Sequence, residues 1–380
     1  MRRLRERKHL RIYSKHSNFR LVYMGQLRDL TVLLSAANSP SMPGQLSCFR
    51  HNGERKIRVI GVDMSDDPSL KYLVDVFYQM PAADDPRYCD MILDICKREK
   101  VDVYFPNISA ELNAVVARRE EFEKIGTQIA VSNHESISIG NNKLKTYDFL
   151  KSKGILVPKY YGIHSLQDFI DGCKEMGYPE KPVCIKMAEN SGSRGVRIID
   201  ANKSRYHIFA HEKPNSFYTS YDDMISILSE REVIDEMLLV ECMHDPEFTV
   251  DALAHNGETL YIVGRENVVS LMSIAQESIL KYDELAYNVS KQVIAALKME
   301  GNVGFDFMRN DKGEAVLMDI NPRLTATVSI IGAGGVNLPY LRVKQLLGEP
   351  LPKQEPVYGT RLKRRYGEMF TTPNGELIDF

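Results

Sequence analysis

The sequence predicts an α/β domain followed by an α+β domain, and three observations carry this prediction. Short apolar runs alternate with amphipathic helical segments between about residues 29 and 140, which is typical of a parallel sheet. After about residue 140 the pattern changes to helices and antiparallel hairpins. At 380 residues, with 43% hydrophobic and 26% charged residues, the chain is long enough for two or three domains with sizeable cores.

The composition argues against several classes of function. A net charge of -2 gives no general reason to expect a nucleic-acid or membrane partner, and there is no apolar run of eighteen residues that would cross a membrane. Residues 1–28 are basic without an apolar core, which predicts a solvated extension rather than a secretory signal. The six cysteines are scattered and form no CxxC pair, so we expect a reducing, cytoplasmic setting.

The elements of the first domain, 29–140, follow from their local patterns. Four apolar runs predict buried parallel strands: LTVLLSA, IRVIGVD, VDVYFPN and TQIAVSN. NSPSMPG predicts a loop, YCDMILDICKREK a helix, and AELNAVVARREEFEKIG one continuous helix that ends at Gly126. Asp63 ends a strand as the acid of a dinucleotide site does, but G-x-G-x-x-G is absent, so NAD binding is not predicted.

The second domain begins with two predicted helices, KLKTYDFLKSK after a capping Asn141 or Asn142, and SLQDFIDGCKEMG. The segment 182–199, PVCIKMAENSGSRGVRII, predicts a hairpin with a Gly/Ser-rich tip. Residues 200–220 match no motif and are expected to form a loop or an extension of the lid. YDDMISILSERE then predicts a helix and MLLVECM a strand.

The remaining elements are predicted from turn signals and periodicity. EFTVDALAHNGETLYIVGR predicts an antiparallel pair that turns at Asn256-Gly257. DELAYNVSKQVIAALKME predicts a long amphipathic helix, and GNVGFDFMRNDKGEAVLMDINPR a second hairpin. GAGGVNLP predicts a turn that opens a C-terminal helix, and TRLKRRYGEMF a strand at a sheet edge.

The second hairpin carries a group of hard oxygen ligands. Asp319, Asn321 and Arg323 are two residues apart and therefore point to one face of a strand. Asp306 on the partner strand can join them across the ladder. Two carboxylates and an amide oxygen suit Mg²⁺ that bridges phosphates. Taken alone, a solvated strand face is an equally good interpretation.

The first hairpin carries a lysine in an otherwise apolar strand. Lys186 needs a partner if it is buried, or a path along which its ammonium reaches water. The tip AENSGSRGV can bring backbone N–H groups close to a phosphate, and Arg194 adds charge there, although a flexible tip is a common alternative. Lys143 stands at the start of a capped helix, where an ordinary surface charge is the simpler explanation.

Taken together, the order of these features resembles the ATP-grasp superfamily from about residue 30 to 350. EFTVD is similar to a strand motif of that superfamily. DINPR is similar to its E-x-N-P-R motif, with Asp in place of the usual Glu. The resembling branch includes the carbamoyl-phosphate synthase large subunit and ATP-dependent carboxylate–amine ligases. The resemblance implies an ATP-grasp fold with an N-terminal pre-ATP-grasp domain at 29–140 and an ATP-grasp domain at 141–350. The latter would comprise a lid at about 157–245 and a C-terminal subdomain at about 246–350, followed by a tail, 351–380.

The resemblance also implies roles for the matching residues. Lys143 and Lys186 would bind the nucleotide phosphates, and Ser191, Gly192, Ser193 and Gly195 would close over them. Glu241, Cys242 and Met243 would line the adenine, and Glu247 would bind the ribose. Asp306, Asp319 and Asn321 would hold Mg²⁺, which Mn²⁺ can replace in such sites. Arg323, with Lys186, would be catalytic and stabilise charge on the transferred phosphoryl group.

The activity implied is that of an ADP-forming ligase that activates a small carboxylate as an acyl phosphate and joins it to an amine. A carbamoyl-phosphate-synthase-like kinase of carbamate or bicarbonate is one alternative, and a non-catalytic ATP sensor or assembly subunit is a second. No nucleic-acid or membrane partner is expected, while a homodimer fits the resemblance. Glu111 could line the cleft or cap a surface helix, and Arg265 could bind a substrate carboxylate or lie at the surface.

Overall fold

The computed structural model of the protein describes residues 27–67, 69–190, 192–213, 216–271 and 274–379. The predicted basic extension, 1–28, falls outside this range except for its last two residues. The N-terminal part contains five strands: β1 (Leu30–Ser35), β2 (Ile57–Asp63), β3 (Val76–Gln79), β4 (Val103–Phe105) and β5 (Gln128–Ile129). Its helices are α1 (Met42–Arg50), α2 (Leu70–Leu73), α3 (Tyr88–Glu99), α4 (Ser109–Ala117), α5 (Arg119–Lys124) and α6 (His134–Gly140).

These strands form the predicted parallel sheet, in the order β3-β2-β1-β4-β5. The order reverses direction between β1 and β4, so the loops after these two strands diverge and leave a crevice at the carboxyl edge. Apolar side chains pack on both faces of the sheet, which explains why its strands read as continuous apolar runs. The crevice is where this sheet meets the rest of the molecule.

Two predicted elements of this part are wrong in detail. The segment NSPSMPG does not stay a loop, because α1 begins within it at Met42. The first turn of a helix tolerates Pro43, because a backbone N–H at that position would have no acceptor within the helix. The single helix predicted over 110–126 divides at Arg118 into α4 and α5, where the amide of Arg118 donates to the carbonyl of Val115 over 3.1 Å in a tightened turn.

Glu111 lies in the interior and not on the surface. It is fully buried at the start of α4, and its carboxylate accepts hydrogen bonds from the hydroxyls of Ser35, Tyr88 and Tyr104. It also accepts from the amide of Ile108 over 2.8 Å, so it caps the helix from inside. Burial raises the pKa of Glu111, while these donors oppose the rise. The carboxylate therefore fixes the ends of β1 and β4 beside the crevice.

The central part contains a second sheet, which we call the lid sheet. Its strands are β6 (Tyr160–Ile163), β7 (Val183–Met187), β8 (Arg197–Ile199), β9 (Tyr218–Thr219) and β10 (Met237–Glu241), in the order β6-β10-β7-β8-β9. Its helices are α7 (Lys143–Ser152), α8 (Leu166–Met176), α9 (Arg205–His211) and α10 (Tyr221–Leu228). The predicted hairpin 182–199 is confirmed as β7 and β8, and 200–220 adds α9 and the edge strand β9. Helix α10 and strand β10 are shorter than predicted.

The C-terminal part is an antiparallel sheet of order β15-β14-β11-β12-β13-β16. Its strands are β11 (His244–His255), β12 (Glu258–Leu271), β13 (Ile274–Leu280), β14 (Gly301–Arg309), β15 (Ala315–Asn321) and β16 (Arg361–Lys363). Its helices are α11 (Glu284–Ala296), α12 (Ser329–Ala333) and α13 (Leu338–Leu346), and β17 (Phe370–Thr371) pairs with β18 (Leu377–Ile378). Both predicted hairpins, the C-terminal helix and the edge strand are confirmed. Asn256 and Gly257 turn the first hairpin with positive φ.

Two packing contacts position the site. A single apolar core joins one face of the N-terminal sheet to α12 and α13, so the first and last parts of the chain pack together. The start of α7 is held against the lid sheet, because the amide of Lys143 donates to the carbonyl of Ala188 and the side-chain amide of Asn142 donates to Glu189 and Glu236. Asn142 also caps α7 by accepting from Lys145. The predicted domain division at about residue 140 falls between α6 and α7 and remains a prediction.

Candidate functional site

A large cavity lies among the described residues where the three sheets meet. Its volume is about 550 Å³. One side is the lid hairpin, the opposite side is the C-terminal sheet, and the far end is the crevice of the N-terminal sheet, where Ala36 and Asn107 line it. Five cationic side chains and three carboxylates from the described residues line this cavity: Lys143, Lys186, Arg194, Arg265, Arg323, Glu247, Asp306 and Asp319. An excess of cations in a partly enclosed space suits a polyphosphate.

The two predicted lysines reach the cavity from different elements. Lys186 lies on β7, half-buried, and lines the cavity. Lys143 is buried at the first turn of α7, and its ammonium lies 3.4 Å from the Asp319 carboxylate and donates to the carbonyl of Asn190 over 3.1 Å. Lys143 therefore links the lid hairpin to the carboxylates of the C-terminal sheet, and the simpler surface interpretation of this lysine is wrong.

The tip of the hairpin covers one end of the cavity. Gly192 and Ser193 line it, as does Arg194, whose Nε donates to the side-chain oxygen of Asn190 over 3.3 Å. Ser191 lies outside the described residues. Gly195 is not a lining residue, but glycine is required there, because φ is +71° and a Cβ would come within 2.2 Å of Met187.

The predicted metal ligands come together on neighbouring strands. Asp306 on β14 is the direct partner of Asp319 on β15, and the Asn321 side-chain amide donates to the Asp306 carboxylate over 2.9 Å. The Thr249 hydroxyl on β11 donates to the other Asp306 oxygen over 2.7 Å. The register of β14 against β15 thus places Asp306 inside the group.

Glu247 lies beside these carboxylates. It is on β11 and accepts from the Asn267 amide over 3.1 Å. Burial, together with the negative charges of Glu247 and Asp319, raises the pKa of Asp306 to about 7, while the hydrogen bond from Thr249 opposes the rise. The charge of Arg265 lowers this pKa again but is the smallest of these effects, so a divalent cation would relieve the crowding of the carboxylates. The oxygen donors thus fit Mg²⁺, which takes few protein ligands and keeps waters.

Arg323 follows the second hairpin at the boundary with the N-terminal part. Its Nε donates to the Ser109 hydroxyl over 3.2 Å and one terminal nitrogen donates to the carbonyl of Leu324 over 2.9 Å. Burial lowers its pKa, and the charges of Asp319, Asp306 and Glu111 counteract this. An arginine remains protonated in either case. Arg323 is therefore a fixed positive charge between the carboxylates and the crevice.

Glu241, Cys242 and Met243 stand apart from the other predicted site residues. They are not among the residues that line the cavity. Glu241 ends β10, and its carboxylate accepts from the amide of Lys159 over 2.6 Å. Because β10 pairs with β7, which carries Lys186, this segment lies next to the cavity wall. The predicted roles of these three residues stay predictions.

Sequence reasoning left Arg265 undecided and missed its neighbours. Arg265 is buried on β12, where its Nε lies 3.1 Å from the Asp251 carboxylate and it also donates to Asn267. Asp251 accepts from the Thr325 hydroxyl over 2.6 Å. The alternation of polar residues along EFTVD and GREN was the available signal, because residues two apart on paired strands share a face. Arg265, Asn267 and Thr325 of this network line the cavity, and Asp251 holds them from behind.

Two family models match parts of the chain. The model described as ATP-grasp in the biosynthetic pathway with Ter operon matches residues 233–366, and the PylC-like N-terminal domain model matches residues 45–130. Among curated proteins, the chain is similar to carbamoyl phosphate synthase large chains. It is 23% identical over 283 residues to that of Pseudothermotoga lettingae, covering 70% of this chain and 23% of the relative. It is 22% identical over 339 residues to that of Methanobrevibacter smithii, covering 85% of this chain and 31% of the relative. The chain thus spans less than a third of the length of these relatives.

Solved structures share the fold. An ADP complex of N5-carboxyaminoimidazole ribonucleotide synthetase superposes with a TM-score of 0.62 at 14% identity, covering 88% of this chain and 80% of that one. Biotin carboxylase from Campylobacter jejuni, as a β,γ-ATP complex, gives 0.61 at 17% identity, with 87% and 73% covered. These likenesses establish the ATP-grasp fold predicted from the sequence. Among the described residues, the longest helices are too short or too polar to cross a bilayer.

The crowding of carboxylates around Asp306 generates a prediction. Asp306→Asn removes a charge that is unfavourable without a cation, and the Asn321 amide can rotate to keep the hydrogen bond. Since the raised pKa of Asp306 lies near 7, the group is largely charged at pH 8 and largely protonated at pH 6. Thermal unfolding in EDTA is therefore expected to show a Tm gain of about 2 °C or more at pH 8 and a smaller gain at pH 6.

The matched control is Asp84→Asn, in an exposed turn of the N-terminal part, which is expected to change Tm little at either pH. The same Asp306→Asn variant is expected to bind MgADP at least about tenfold more weakly than the original protein. A loss of stability at pH 8, or an equal gain at both pH values, would contradict the crowding described above.

Proposed function

This chain belongs to the ATP-grasp superfamily, and on that premise we propose that it is an ATP- and Mg²⁺-dependent ligase that joins a small carboxylate to an amine. The observation that carries the proposal is the cavity in which five cations face three clustered carboxylates. A protein that only bound nucleotide would need the lysines, whereas Arg323 beside the carboxylates adds a fixed charge suited to a transferred phosphoryl group.

The proposed reaction has two steps. An oxygen of the carboxylate substrate attacks the γ-phosphorus of ATP, the bond to the bridging oxygen breaks, and ADP leaves. The nitrogen of the amine then attacks the carbonyl carbon of the acyl phosphate, phosphate leaves, and the amine loses a proton. A carboxylate is a poor electrophile, and the acyl phosphate is the activated form that an amine can attack.

The side chains of the cavity have proposed roles in these steps. Lys143 and Lys186 bind the nucleotide phosphates, and Gly192 and Ser193 in the hairpin tip cover them and exclude water. Arg323 stabilises the charge of the transferred phosphoryl group. Asp306, Asp319 and Asn321 would hold Mg²⁺ or Mn²⁺, which would neutralise phosphate charge.

The remaining proposed roles concern the adenine and ribose of the nucleotide. We propose that Glu241, Cys242 and Met243 lie along the adenine, in the segment between the lid sheet and β11. Glu247 is proposed to bind the ribose, although its proximity to Asp306 also suits a role near the metal. Ser191 and Gly195 complete the predicted cover over the phosphates. A homodimer remains an expectation from the resemblance, and a cytoplasmic location remains an expectation from the scattered cysteines.

A second candidate is a carbamate or bicarbonate kinase. It is favoured by the similarity to carbamoyl phosphate synthase large chains, whose matched part is a fraction of their length. The two candidates differ in what stimulates ADP release. Bicarbonate alone would serve the kinase, whereas the ligase requires an organic carboxylate and an amine together.

A screen of ADP release tests the proposed function. The full chain with MgATP is offered amino acids, hydroxy acids, other carboxylates and bicarbonate, singly and in pairs with amines. We expect ADP release that depends on one carboxylate and rises further with one amine. Stimulation by bicarbonate alone would favour the kinase, and MgATP binding without stimulation by any pair would favour a sensor.

Replacement of Arg323 tests its catalytic role. Arg323→Ala is expected to keep MgATP affinity within about twofold and to lower kcat roughly 100- to 1,000-fold, because the charge acts on the transition state. Arg309→Ala is the matched control, since Arg309 lies on β14, in the hairpin that precedes Arg323, but does not line the cavity. An unchanged kcat for Arg323→Ala with the substrates found in the screen would show the assignment to be wrong.

A further inference from the structure

A second, smaller cavity of about 140 Å³ lies at the carboxyl edge of the N-terminal sheet. Its lining is mostly apolar and comes from the ends of β2 and β3 and the segments that follow them: Val62, Met64, Met80, Pro81, Ala82 and Ala83. The polar groups that line it are already engaged. The carboxylate of Asp63 accepts from the amides of Asn38 and Ser65, and the hydroxyl of Tyr88 donates to Glu111. Asp63 and Tyr88 therefore already have hydrogen-bond partners, and the other side chains that line the cavity are apolar.

This cavity adjoins the large one. Ala36, the residue after β1, lines both. It has a φ of +55°, which is uncommon for alanine, and its carbonyl accepts from the amide of Ser39 over 2.9 Å in a tight turn. The chain therefore turns sharply at the point where the two cavities meet, and Asp63 holds the turn through Asn38.

The smaller cavity also adjoins the proposed reaction centre. Ile108 lines it, and the next residue, Ser109, accepts a hydrogen bond from Nε of Arg323 over 3.2 Å. Ala36 thus joins this cavity to the large cavity that Arg323 lines. The carboxyl edge of a doubly wound parallel sheet is a general place for ligands.

We propose that this cavity holds the aliphatic side group of the carboxylate substrate. This inference rests on the proposed ligase function and deepens it by naming a substrate class. The volume is close to that of an apolar cavity of about 150 Å³ that holds benzene, so a short aliphatic or thioether group fits. A bicarbonate ion has no group to place there, so the cavity favours an organic acid.

Binding of simple acids to the full chain with saturating MgADP tests the inference. The probes are acetate, propionate, butyrate and isovalerate, measured by titration calorimetry or ligand-observed NMR. Each added methylene is expected to lower the dissociation constant about fourfold until the cavity is full. A dissociation constant that does not change along the series would overturn the inference.

Ala83→Leu tests the location, because it fills the cavity from its wall. It is expected to reduce the difference between acetate and isovalerate to less than about twofold, with MgADP affinity unchanged. Ala201→Leu, in an exposed turn of the lid, is the matched control and is expected to keep the full dependence on chain length. If Ala83→Leu binds MgADP normally and keeps that dependence, the side group lies elsewhere.

Met64→Asp provides a second test that does not depend on the folding of the first variant. Met64 is 67% exposed at the rim of the cavity, so a substitution there leaves the core intact. The added charge is expected to weaken the binding of isovalerate at least threefold relative to acetate, and equal effects on both acids would count against the location.

ADP release without any preference for chain length would refute the inference and keep the ligase. A preference for longer acids in binding, without ADP release, would support the location of the side group and refute the ligase.

Discussion

The site depends on three carboxylates that lie close together at the β15 edge of the C-terminal sheet. Asp306, Asp319 and Glu247 lie on three neighbouring strands, and burial together with mutual repulsion raises the pKa of Asp306. Like charges that are buried close together cost stability, and such groups cluster at functional sites. A divalent cation beside these carboxylates would remove much of this cost, and a polyphosphate would match the cations that face them. Binding and stability are therefore opposed at this site, which is common where chemistry is performed.

The cations that face this group are carried by separate parts of the fold. Lys186 belongs to the lid sheet, Lys143 to the helix before it, and Arg323 to the segment that follows the last hairpin. Lys143 already lies 3.4 Å from Asp319, so this pair joins the lid to the C-terminal sheet. A bound phosphate would compete for Lys143, and we expect the position of the lid hairpin to respond to nucleotide for that reason.

Much of the fold could be predicted from the sequence, because strand alternation, helix caps and turn residues are local signals. Both hairpins and the cap at Asn142 follow from such signals. The start of α1 at Met42 and the break at Arg118 were not predicted, since tertiary packing decides them against a weak local preference. The face shared by Asp319 and Asn321 follows from the period of a strand, and so does the candidate metal site.

Other parts of the site could not be predicted. The register that brings Asp306 opposite Asp319 depends on pairing across the sheet, and a one-residue slip would have turned its side chain away. The burial of Glu111 and of Arg265 depends on distant partners such as Tyr104 and Asp251. A short polar segment does not reveal whether its charges face solvent or a partner from another strand.

The most direct test of this account is a crystal structure of the full chain with MnADP, with the manganese located by its anomalous scattering. We predict one manganese peak at about 2.1 Å from oxygens of both Asp306 and Asp319, with the ammonium groups of Lys143 and Lys186 on the phosphates. Nucleotide bound outside the large cavity, or manganese bound away from both aspartates, would contradict it.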